Sequence, residues 1–160
     1  MSPHRLPLAA RVLTAAALAA TVLAAILAGP ALAGASVIVL TQTGCQFLEP
    51  ENRDLMVEPK AADDCRAYNA KTKAVRQKSH QPLSLAPGRY TFRVTNKDVP
   101  YELGFYLRSQ QRDLIPFMPR VSGGGVHEGE TKDFDVELAA GNYIYSCPFN
   151  PTIDYRLTVK

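Results

Sequence analysis

From Gly88 onwards the chain alternates between apolar and polar positions. In "GRYTFRVTN" Tyr90, Phe92 and Val94 fall on one side, and Thr91, Arg93 and Thr95 on the other. "YELGFYLR" aligns Tyr101, Leu103, Phe105 and Leu107, and "KDFDVEL" sets Phe134, Val136 and Leu138 against Asp133, Asp135 and Glu137. "NYIYSC" and "DYRLTV" continue the series, the latter aligning Tyr155, Leu157 and Val159, and "SVIVLTQT" (Ser36–Thr43) adds a β-branched run upstream. A period of two with turn residues between the runs predicts half-buried antiparallel strands. Several short strands at close spacing predict a sandwich or barrel.

Two stretches break the alternation. Gln46–Pro82 opens acidic (Glu49, Glu51, Asp54, Glu58) and closes basic (Lys71, Lys73, Arg76, Lys78). Asp63 and Asp64 supply caps for a short helix running to about Ala74. "IPFMPRVSGGGVHEGE", with two prolines and three consecutive glycines, predicts a flexible loop. An internal echo, "LAPGRYTF" against "LAAGNYIY", repeats Leu-Ala-x-Gly-x-Tyr-x-aromatic. It predicts corners in which the hydroxyls of Tyr90 and Tyr143 bond back to the backbone.

The start of the chain has a different character. Arg5 and Arg11 precede an apolar run from Val12 to Ala28, followed by Gly29, Pro30 and "ALA" at Ala31–Ala33. A basic start, an apolar middle and a small-x-small ending predict a secretory signal peptide over residues 1–33, with an uncleaved anchor as the alternative. Residues 34–160 then form one domain, of a size able to bury a core. Two arginines and no acids leave with the signal, so the net charge falls from +3 to about +1. That balance points to no nucleic-acid partner, and no later apolar run is long enough to span a membrane. The expected location is periplasmic or secreted. There Cys45, Cys65 and Cys147 meet oxidising conditions, and an odd count leaves one thiol free, paired between chains or bound to metal.

"PGRYTFRVTNKDVPYELGFYL", the Gly-rich stretch with "GET", and "LAAGNYIYSC…YRLTV" together resemble the cupredoxin-like domains, over roughly Leu85–Lys160 plus the first strand. The resemblance implies an all-β, Greek-key β-sandwich, here with a long insertion (about 46–82) after the first strand. Its familiar members bind one copper through two imidazoles, a thiolate and a weak axial thioether. This chain departs from that set. Pro100-Tyr101 stands where the family has a Pro-His pair, and no His or Met follows Cys147. The cupredoxin-like domains of EfeO-type periplasmic iron-uptake proteins are similar in those departures. They share the early cysteine ("TGCQFLEP"), the glutamate of "YEL", and a late cysteine followed by Asn-Pro ("CPFNPTIDYRL"). That likeness implies Cys45, Glu102 and Cys147 as metal ligands.

His127 beside "GGG", Met118 and His80 are further donors from loops. Thiolate with imidazole or thioether favours copper or zinc, and carboxylates favour harder ions such as ferric iron. The cysteines also admit a disulfide, either Cys45–Cys147 or Cys45–Cys65. No nucleophile motif surrounds any serine and no His neighbours Cys147, so no enzymatic activity is expected. Two functions follow. The first is binding of a transition metal, copper or iron, for uptake, delivery or homeostasis, alongside an envelope transporter. The alternative is a metal-free, disulfide-stapled sandwich that binds another envelope protein.

Overall fold

The structure, a computed structural model, describes residues 35–111 and 117–160. The expected signal peptide lies outside the described residues. Two sheets carry the fold. The first has the order β2-β1-β4-β7, from β1 (Ser36–Thr43), β2 (Gln46–Phe47), β4 (Gly88–Asn96) and β7 (Thr131–Leu138). The second has the order β3-β9-β8-β5-β6, from β3 (Leu83–Leu85), β5 (Leu103–Ser109), β6 (Arg120–Val126), β8 (Gly141–Ser146) and β9 (Tyr155–Val159). This is the all-β sandwich that the alternation predicts, with the insertion after the first strand. Both sheets are mixed rather than antiparallel throughout, because β1 runs parallel to β4 and β3 parallel to β9. Period-two patterning sets which face is buried, not which way a neighbour runs.

The predicted inward residues form the core. Phe92, Val94, Leu103, Phe105, Leu107, Tyr145, Tyr155 and Leu157 are fully buried or nearly so. Phe105 stacks on Phe92 at 5.1 Å, and Phe47 meets Tyr145 and Tyr155 edge-on at 5.6 and 5.7 Å. Aromatic contacts of this geometry add to simple burial. Both corners form as expected: the hydroxyls of Tyr90 and Tyr143 donate to the carbonyls of Ala86 and Ala139, each at 2.9 Å.

The insertion contains β2, a short α1 (Leu48–Glu51) and a long α2 (Ala62–Ser79), which runs past the expected end near Ala74. Asp64 caps it by accepting the N–H groups of Lys60 and Ala61 at 2.8 and 3.1 Å. Among the described residues, no helix is long and apolar enough to cross a membrane.

The triple glycine is not the expected loop. It lies in edge strand β6, where a bulge sets Leu103 and Phe105 of β5 opposite Val126 and Gly123. A Cβ at Gly124 would fall 2.6 Å from Glu102 Oε1 and 2.9 Å from the Phe149 ring. One at Gly104 would fall 2.5 Å from the Gly123 carbonyl. The glycines mark close approach rather than mobility.

Candidate functional site

Cys147 follows β8 at one end of the sandwich. Its Sγ accepts the N–H groups of Asn150 at 3.2 Å and Gly104 at 3.4 Å. The turn after it is closed by Cys147 N–H donating to Thr152 Oγ1 at 3.0 Å. Asn150 then joins three segments of the chain. Its Oδ1 accepts the Cys45 N–H at 3.0 Å and the Tyr101 hydroxyl at 3.4 Å, and its Nδ2 donates to the Thr43 carbonyl at 2.9 Å. Asn96 does similar work one layer over, donating to the carbonyls of Val99, Tyr101 and Val126. Buried amides satisfied on every side fix the loops that carry them.

Cys45 is bonded to Cys65 of α2, which corrects the Cys45–Cys147 alternative. Cys65 Sγ lies 3.0 Å from Asn150 Oδ1, so Asn150 stands between the disulfide and the free, buried thiol of Cys147. Cys45 and Cys147 do share this end of the sandwich. Cys65 nevertheless takes the bond because α2 is docked beside Cys45. Arg76 of α2 donates to the Cys45 carbonyl, to Glu51 and to Asn69, and Asn69 donates to the Pro151 carbonyl. The Tyr155 hydroxyl donates to Glu51 Oε1 at 2.6 Å, completing a buried ion pair. Glu51 and Arg76, members of the acidic and the basic run of the insertion, are therefore buried and paired with each other.

Burial pushes the Cys147 thiol up, more than the N–H groups of Gly104 and Asn150 and the amide of Gln42 draw it down. It is a protonated thiol at neutral pH. Tyr101 is pushed up to about 12, chiefly by burial and further by Cys147 and Asp64. Gln42 donates to the Gly104 carbonyl at 2.9 Å, while its buried Oε1 has no partner among the described residues.

The remaining expected ligands do not converge here. The Glu102 carboxylate accepts the Gly125 N–H at 2.6 Å on the outside of the β5–β6 bulge. His127 is exposed in the β6–β7 turn, where its N–H donates to Glu130. Met118 packs against Gly141, at the opposite end of β8 from Cys147, about 20 Å away along the strand. His80 accepts the Arg156 N–H at 3.1 Å, in the seam between α2 and β9. Among the described residues, no three His, Cys, Asp or Glu side chains converge in a way that could hold a metal ion.

A blue-copper group does not fit this donor set. Tyr101 and Asn150 are engaged with each other, Cys45 is spent in a disulfide, and neither imidazole reaches Cys147. Sequence reasoning missed Asn150, Gln42, Glu51 and Arg76. Asn150 carried one faint signal, its place three residues after Cys147 in a Pro-bounded turn.

The chain matches no family model, and no curated protein sequence matches it significantly. Among solved structures it is similar to an oxidised amicyanin variant, at 12% identity and a TM-score of 0.42, over 82% of this chain and 95% of that one. It is also similar to a reduced amicyanin variant, at 13% identity and a TM-score of 0.41, over the same shares.

Proposed function

We propose that this chain is an exported, cupredoxin-like sandwich that acts as a metal-free binding module for another envelope protein, with no catalytic step of its own. The observation that carries the reading is the Cys45–Cys65 disulfide. It takes Cys45, one of the two thiolates of the expected Cys45, Glu102 and Cys147 ligand set, and Asn150 stands between it and Cys147. A disulfide in a small domain also accords with export to an oxidising compartment. On this reading only the sandwich architecture is taken from the likeness to EfeO-type domains, and copper or iron handling is not. The capacity for contact with another protein lies on the outside instead, where Met56 and Phe149 are exposed.

The test uses protein exported to a periplasm and purified without chelators. Elemental analysis and a thiol count under denaturing conditions are made on one sample. The expected result is one free thiol per chain, Cys147, with copper, iron and zinc each far below one per chain. One equivalent of metal, lost on Cys147→Ser, overturns the proposal and restores metal binding.

A further inference from the structure

Among the described residues, the first half of β1 is an open sheet edge. β4 covers one side of it from Ser36 to Gln42, but β2 covers the other only at Gln42 and Thr43. The backbone shows which residues face that edge. The Thr41 N–H turns away from β4 and donates to both carboxylate oxygens of Glu49, at 2.9 and 2.8 Å, while the Gln42 carbonyl accepts the Lys97 N–H just past β4. Alternation then sends the N–H and C=O groups of Val37 and Val39 outward, where they have no partner among the described residues. The same two side chains stand on the outer face, 46% and 54% exposed. Ser36–Thr43 carries no charge and no proline, the usual protections of an exposed edge.

We infer that this edge pairs with the β1 edge of a second copy of the chain, antiparallel about a two-fold axis at Ile38. In that register Val37 lies opposite Val39 of the other copy, and Val39 opposite its Val37. Both are the outward-facing residues, so each pair exchanges two backbone hydrogen bonds and joins two apolar side chains. The two-fold contact is self-complementary, as an isologous interface requires.

Charge favours a copy of this chain over an unrelated strand. Ala35 precedes Ser36, whose neighbour is Tyr90, so Arg89 flanks Ala35 across the sheet. The register brings Ala35 of one copy to Thr41 of the other, and so Arg89 of one beside Glu49 of the other, twice by symmetry. Among the described residues, the Arg89 side chain is held only by a loose, exposed contact to Glu137 at 3.9 Å. The Glu49 carboxylate on Thr41 also stops the ladder, so the pairing is confined to Val37–Val39.

The test is sedimentation velocity on residues 34–160 from micromolar to millimolar concentration, with circular dichroism confirming the fold of each variant. The wild type is expected to dimerise reversibly. Val39→Lys is expected to weaken the dimer about tenfold, since two cross-strand apolar pairs are lost. Glu49→Arg and Arg89→Glu should each weaken it, and the two together should restore it. A wild type that stays monomeric at millimolar concentration overturns the inference. So does a dimer that neither Val39→Lys nor the charge reversals change.

Discussion

His80 couples one side chain to the stability of the seam between α2 and β9. Its Nε2 accepts the Arg156 N–H, which requires an unprotonated nitrogen. Burial, helped by the Arg156 charge, holds its pKa below the usual imidazole value, against the hydrogen bond to the Arg76 carbonyl. The unfolded chain takes up a proton near 6.5 and the folded one only at lower pH, so unfolding binds the proton as the pH falls. The stability His80 contributes is therefore full above about 6.5 and is lost as the pH drops through the folded value. Urea midpoints measured between about pH 7 and 5 should fall for the wild type and fall less for His80→Gln. An equal slope in both would assign the acid limb to other groups. Tyr90 and Tyr143 differ from His80 in having been legible beforehand. Their role is set by a local motif, Leu-Ala-x-Gly-x-Tyr, whereas the partner of His80 lies on a strand 76 residues away.

The insertion is a helix tied to a sandwich rather than a loop between strands. Arg76 is the tie, reaching Glu51, Asn69 and the Cys45 carbonyl from within a buried setting. Arg76→Met should cost about 3–5 kcal/mol in urea unfolding, because it leaves the Glu51 carboxylate buried without its counter-charge. A loss under about 1 kcal/mol would mean that water reaches Glu51 as α2 shifts. The charge pattern alone placed the two residues in separate acidic and basic runs, since it carries no information about a partner 25 residues away. β6 was hidden for a related reason. Gly123–Gly125 have the composition of a loop, and only the Phe134 ring at Gly123, the Phe149 ring and Glu102 carboxylate at Gly124, and the positive φ of Gly125 show why side chains are absent there. The strands β4, β5, β7, β8 and β9 were legible because each buries one face, which leaves a period of two in the sequence, and β1 was legible from its β-branched run. The candidate site was legible in part. The placing of Cys45 and Cys147 at one end follows from strand order, but the choice of Cys65 as partner depends on how α2 docks.

At the scale of the molecule, the Cys45–Cys65 bond closes a loop of 20 residues. In the chain-entropy model that contributes about 3 kcal/mol. Replacing both cysteines by alanine should lower the melting temperature by about 10 °C for a domain of this size. An unchanged melting temperature would show that Arg76 and Glu51 hold the helix without the staple. The spacing of the three cysteines has a consequence for biogenesis. If the chain is exported as proposed, it crosses the membrane from its N-terminus, so Cys45 and Cys65 would meet the oxidising side while Cys147 is still being synthesised or translocated. At ordinary elongation rates the interval is on the order of ten seconds. The correct pair thus has a head start over either mispairing with Cys147. On that route the last hairpin would arrive to find both rivals already joined, and its thiol would fold in, buried, against the Asn150 N–H.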